Sequence, residues 1–126
     1  MTEPLHIEVV AEGGDTRVAL VGELTYATVP LFTVEVTETV GPSRPRLLLD
    51  VARLHFCDSV GLSALIGAQR RAQRAGGAVV LFGVHGCLQR SLTVTGTDAL
   101  FTLVGSAERN ETDTVKSATG RTGETA

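Results

Sequence analysis

Leu47-Leu48-Leu49-Asp50-Val51-Ala52-Arg53-Leu54-His55-Phe56-Cys57-Asp58-Ser59-Val60-Gly61-Leu62 is the stretch on which the fold turns. Its first five residues, Leu47 to Val51, form a nearly continuous apolar run. Such a run is typical of a strand covered on both faces, which in a parallel sheet means helices above and below. From Gly61 to Ala75 the period changes: Leu62, Leu65, Ile66 and Ala72 fall along one side, and Arg70, Arg71, Gln73 and Arg74 gather near the far end. Gly76-Gly77 closes that segment as a helix stop. Ala78 to Val84 is a second apolar run, so the unit reads strand, helix, strand, with a right-handed crossover.

Working outward, Leu5, Ile7 and Val9 alternate with outward positions, and Gly13-Gly14-Asp15 turns the chain into a second run from Arg17 to Gly22. These two runs predict a hairpin. Next, Thr25 is a candidate N-cap, Pro30 stands near a helix start, and Val29, Phe32, Val36 and Val40 recur at helical spacing up to Gly41-Pro42. The β-branched Thr33, Val34, Val36, Thr37 and Thr39 argue for a strand instead. The length available between two strand signals decides for the helix. Leu88 and Leu92, four apart, and Gly96 as C-cap mark a last helix before a strand around Leu100 to Val104. The predicted class is therefore α/β, a mixed, mostly parallel sheet flanked by helices in the order ββαβαβαβ. One domain occupies residues 1–105. Residues 106–126 are rich in Ser, Thr, Glu, Asp, Arg and Gly, with Val115 their only large aliphatic residue, and are expected to be a disordered polar tail.

Composition narrows the functional classes. The chain has 126 residues, 43% hydrophobic and 4% aromatic, enough to bury an aliphatic core without disulfide or metal staples. Two cysteines, Cys57 and Cys87, are too few for a secreted scaffold, and the opening Met-Thr-Glu-Pro has neither a basic nor an apolar leader region. The expected compartment is the cytoplasm. A net charge of −3 with no tract of Lys or Arg argues against nucleic acid, and no apolar run approaches the roughly 18 residues of a membrane span.

Chemistry concentrates at Leu54 to Leu62, where the central strand hands over to a helix N-terminus with unpaired amides and a positive dipole. Asp58 and Ser59 each suit the cap of that helix. Ser59 as a catalytic nucleophile, with His55 or His85 as base and Asp58 or Asp50 as orienting group, fits poorly. A nucleophile elbow wants glycines two residues to either side, and the upstream position is Cys57. His55-Phe56-Cys57 and His85-Gly86-Cys87 are two H-x-C pairs whose donors could suit zinc, although the spacing is no standard finger and small buried thiols explain it more simply. Gly13-Gly14, Gly76-Gly77 and Gly83-x-x-Gly86 precede no G-K-[ST] and read as turns. Arg70, Arg71 and Arg74 read as a solvated basic face.

Gly22-Glu23-Leu24, the L-x-F-x-D-S-x-G-L string from Leu54 to Leu62, Gly76-Gly77 and Thr95-Gly96 together resemble the STAS domain of bacterial anti-sigma factor antagonists, from about Leu5 to Ser106. The resemblance implies a STAS-like single domain and a signalling protein that is not an enzyme and needs no cofactor or metal. It implies that Ser59 is phosphorylated by a partner that is both anti-sigma factor and GHKL-type serine kinase. The unmodified protein would bind this kinase and release a sigma factor, and a phosphatase would restore Ser59. The implied partner surface is Gly22, Glu23, Leu24 and Thr25 together with Asp58, Ser59, Val60, Gly61 and Leu62. Two positions depart from the family: Thr25 stands where many members carry an acidic residue, and Val60 where many carry Ser or Thr. The alternative implied role is a STAS adaptor subunit of another assembly, a lipid-transport ATPase or a stress complex, without phosphorylation.

Overall fold

The computed structural model of the chain describes residues 5–13, 15–105, 113–115 and 120–121. β1 (His6–Glu12) and β2 (Asp15–Leu24) form the expected antiparallel hairpin, and α1 (Val29–Thr39) leads to β3 (Arg46–Asp50). A short β4 (Leu54–Cys57), absent from the sequence reading, runs directly into α2 (Ser59–Arg74). β5 (Val79–Phe82), α3 (Gly86–Thr95), a 3-10 turn (Thr97–Leu100) and β6 (Thr102–Val104) follow. Leu100 therefore belongs to the turn, and the last strand is shorter than predicted. β7 (Asp113–Val115) and β8 (Gly120–Arg121) make a separate antiparallel pair. The expectation of disorder over 106–126 otherwise lies outside the described residues.

The main sheet has the order β1-β2-β3-β5-β6, with β4 paired to β2 off this path, and every pairing except β1–β2 is parallel. From β2 to β3, β5 and β6, each crossover steps the same way across the sheet. Right-handed crossovers that all step one way leave their helices on one face. The packing agrees: Phe32 and Val36 of α1, Leu62, Leu65 and Ala72 of α2, and Leu88 and Leu92 of α3 share one cluster with Val18, Leu49 and Leu81. Those last three are register neighbours across β2, β3 and β5, so they point to one side. The expectation of helices above and below Leu47 to Val51 is thus corrected. Leu48 faces the other way and stands outside the cluster, yet it is only 8% exposed. Its cover comes from the sheet itself: the Arg17 guanidinium of β2 sits 5.4 Å from the centre of the Phe82 ring on β5, so its stem crosses β3, where Leu48 is its register partner.

α1 forms despite its β-branched residues because helical spacing drops Phe32 and Val36 into the core, and burial outweighs propensity. Its cap differs from the prediction. The N-cap position is Thr28, with no side-chain cap, and Thr25 shapes the preceding turn instead. At the other end, Arg71 of α2 donates to the carbonyls of Val40 and Thr37, occupying acceptors that a helix end leaves open. Arg71 is therefore committed to α1, and only Arg70 and Arg74 of the predicted basic face are exposed. Gln69 ties the core together: it accepts from the Val79 amide at 2.7 Å and donates to the Leu100 carbonyl.

Candidate functional site

Pairing with β4 sets the site. β2 pairs with β3 over Asp15 to Ala19, and then its far end, Gly22 to Leu24, pairs with β4. The exchange needs an irregularity, and the register shifts between Gly22 and Glu23 where Gly22 adopts φ 117°, a conformation that favours glycine. Because β4 is parallel to β2, both strands finish at the same edge. The turn after β2 and the start of α2 consequently meet there.

Asp58 locks this meeting point. Its Oδ1 accepts the Gly61 amide at 2.7 Å as the N-cap of α2, and its Oδ2 accepts the Tyr26 amide at 3.0 Å. Its own amide donates to the Leu24 carbonyl at 3.2 Å. Gly61 permits the approach, since a Cβ there would lie 2.3 Å from the Leu24 carbonyl oxygen. On the β2 side the Thr28 hydroxyl accepts the Thr25 amide at 2.9 Å and donates to the Glu23 carbonyl at 2.8 Å, while the Thr25 hydroxyl accepts the Ala27 amide at 3.2 Å. This network holds Thr25 buried.

All nine residues implied as a partner surface are thus brought to one end of the sheet, but they divide by exposure. Gly22, Leu24, Thr25, Gly61 and Leu62 are buried and build the platform; Glu23 and Asp58 are half-buried; Ser59 and Val60 are exposed. Ser59 occupies the first position of α2, and Asp58 supplies the cap, which leaves the Ser59 hydroxyl outside the capping bonds. Two exposed neighbours lie outside the implied partner surface: Tyr26, 74% exposed, and Phe56, 45% exposed. Val60, also 45% exposed, follows Ser59 in the chain, and Tyr26 is held to the α2 cap by its bond to Asp58. The signal available for Tyr26 was that it is the single tyrosine in the sequence, beside a strand end.

The chemistry of the remaining candidates is narrow. Both Asp58 oxygens are engaged by backbone amides, which gives the carboxylate a structural capping role. His85 stands at the N-cap position of α3 with Nε2 buried and without a hydrogen-bond partner among the described residues. Among the described residues no three His, Cys, Asp or Glu side chains gather as a metal-holding group. Cys57 and Cys87 do approach each other, with the Cys87 thiol donating to the Cys57 carbonyl at 3.5 Å. Burial, reinforced by Cys87 and Asp58 nearby, pushes the Cys57 thiol up to about 12. No described helix is long and apolar enough to cross a membrane.

Known proteins share this fold. An anti-sigma factor antagonist from Mycobacterium paratuberculosis superimposes with a TM-score of 0.71 at 25% identity, covering 82% of this chain and 89% of its own. The Bacillus cell fate determinant SpoIIAA in its phosphorylated form gives 0.63 at 17% identity, covering 79% and 90%. The murine anion transporter Slc26a9 gives 0.65 at 19% identity, covering 77% of this chain and 17% of the transporter. The family model described as "Mlab, STAS domain" matches residues 7–105, most of the main body, and the chain belongs to the STAS domain family.

Proposed function

We propose that this protein is a cytoplasmic, non-catalytic anti-sigma factor antagonist whose docking surface is the edge around Ser59. It binds a GHKL-type anti-sigma factor serine kinase, frees a sigma factor, and lets go when Ser59 is phosphorylated; a phosphatase resets it. The observation that carries this reading is Ser59, exposed at the first position of α2 and outside the Asp58 cap, with exposed Val60 next to it in the chain and exposed Tyr26 hydrogen-bonded to Asp58. A kinase can reach such a hydroxyl without unfolding the domain. The structural likeness to the mycobacterial antagonist supports the same role.

The test is incubation with anti-sigma factor kinases of the GHKL type and ATP, followed by intact mass and pull-down. One phosphate is expected on the native protein and none on Ser59→Ala, which stays bound to its kinase in ATP; Ser59→Glu binds weakly. Equal affinity of the two variants would defeat the proposal. A second reading, a STAS adaptor docked in a larger assembly such as a lipid-transport ATPase, draws on the "Mlab" description of the family model. It predicts stable co-purification with that assembly, an unmodified Ser59, and binding lost on Tyr26→Ala but kept in Ser59→Glu.

A further inference from the structure

We infer that Cys57 and Cys87 form an oxidisable pair that a hydroperoxide closes into an intramolecular disulfide, withdrawing a support from beneath the first turn of α2. Both cysteines are free thiols, one at the end of β4 and the other in the first turn of α3. The Cys87 sulfur lies 3.5 Å from the Cys57 carbonyl oxygen. Ordinary bond lengths then place it within about 6 Å of the Cys57 Cα, so side-chain rotation and a shift of α3 must bring the two sulfurs to the roughly 2 Å of a disulfide bond. The two residues are separated by 30 positions in sequence, so the contact is made by the fold.

Exposure assigns the order of events. Cys87 is half-buried and open to a small oxidant, whereas Cys57 is 4% exposed. The Cys87 thiolate attacks the O–O bond of the hydroperoxide, its sulfur takes the hydroxyl as a sulfenic acid, and the alcohol leaves after protonation. The Cys57 sulfur then attacks the Cys87 sulfur, the S–O bond breaks, and the departing hydroxide takes the Cys57 proton as water. Two thiol hydrogens and two electrons are lost in all, and the peroxide is reduced to alcohol and water. Burial keeps Cys57 protonated, which protects it from direct oxidation and makes its attack on the Cys87 sulfenic acid the slow step, faster as pH rises.

Closure acts on the site through position. The Cys57 sulfur lies 3.0 Å from where a Cβ on Gly61 would sit and 3.6 Å from the Asp58 carbonyl oxygen, so it fills the space under the α2 cap. Turning it toward Cys87 empties that space. Neither a partner nor phosphorylation of Ser59 enters this inference.

The test uses the full reduced chain treated with hydrogen peroxide, then denatured, capped with N-ethylmaleimide and weighed intact. The expected product is a monomer lighter by two hydrogens that takes no maleimide and regains two alkylatable thiols after dithiothreitol. Cys87→Ser keeps one alkylatable thiol under the same treatment, and folded Cys57→Ser proceeds to sulfinic acid at Cys87. In the oxidised wild type, hydrogen exchange at the Gly61 and Leu62 amides quickens. Two thiols still open to alkylation, a sulfinic acid at Cys87 beside a free Cys57, a disulfide-linked dimer, or unchanged exchange would each overturn the inference as stated. The Cys87→Ser arm decides the pairing even if Cys57→Ser fails to fold.

Discussion

Replacing Gly61 by Ala tests the contact on which the whole site is built. The added Cβ would stand 2.3 Å from the Leu24 carbonyl oxygen and 3.0 Å from the Cys57 sulfur, where ordinary contact begins at 3.4 Å. The obstructing atom is backbone, so α2 must withdraw from the end of β2 by about 1 Å. The Asp58 amide donates to that same oxygen at 3.2 Å, and such a withdrawal takes the bond out of range. Overpacking of this kind costs about 1–3 kcal/mol. The lost hydrogen bond adds about 1 kcal/mol. Alanine's better helix propensity returns up to about 1 kcal/mol. The net expectation is a loss of about 2 kcal/mol, or roughly 8–10 °C in Tm for a domain of this size.

The control lies in the same helix. A Cβ on Gly67 meets nothing within 4 Å, so Gly67→Ala isolates the propensity gain and should hold or raise stability by up to about 1 kcal/mol. Urea and thermal unfolding followed by circular dichroism give both values. A Gly61→Ala protein whose midpoint matches wild type, or moves together with Gly67→Ala, would refute the argument from close approach.

Other substitutions probe the neighbouring links. Asp58→Ala strips the α2 cap and the Tyr26 amide of their acceptor and should cost about 1–2 kcal/mol in urea unfolding, while Asp58→Asn, a good N-cap, should cost clearly less. Leu49→Ala, in the clustered face, should cost about 2–5 kcal/mol, and Leu48→Ala, on the face without helices, under about 2 kcal/mol; equal losses would contradict helices on one face only. The Cys57 thiol ionises near 9.0 when unfolded but near 12 when folded, so the native state holds the extra proton between these values. Stability should therefore fall as pH rises above 9.0, by up to about 1.4 kcal/mol per pH unit, in wild type relative to Cys57→Ala.

The parts of the fold that were legible in the sequence are those with a repeating period. Leu62, Leu65 and Ala72 marked α2, the runs at Leu47 and Val79 marked β3 and β5, and glycines or prolines bounded most elements. β4 was hidden because Leu54-His55-Phe56-Cys57 is too short for a period, and only its pairing with the end of β2 makes it a strand. Helices on one face followed from strand order, which no local pattern encodes: Leu47, Leu48 and Leu49 look alike, yet Leu48 turns the other way. At the site, the motif located Asp58, Ser59 and the Gly22 to Thr25 turn. It did not separate platform from surface, because the burial of Thr25 depends on Thr28 and that of Gly61 on Leu24. Tyr26 and Phe56 carry no periodic or charge signal, so their exposure became visible only with the strand ends in place.

The proposed phosphate at Ser59 would face opposing forces whose balance depends on what covers it. In the free protein, the N-terminus of α2 favours an anion by about 0.3–1 kcal/mol. The Asp58 carboxylate, tied to Gly61 and Tyr26, has no freedom to turn away, and its repulsion of a phosphate of about 1.5–2 charges is about 1.5–2 kcal/mol in a water-exposed site at close range. The balance is a loss of about 1 kcal/mol, so the modified domain should remain folded. A docked partner removes the water, and at an effective dielectric near 20 the same repulsion grows to about 6–8 kcal/mol. Tyr26, Phe56 and Val60 present mostly apolar surface, leaving phosphate oxygens that lose water with few new donors. A difference of about 4 kcal/mol or more between the two settings corresponds to roughly 1,000-fold or more in affinity. A fixed carboxylate beside an exposed hydroxyl on an apolar rim is therefore sufficient for a switch that acts on binding while leaving the domain folded.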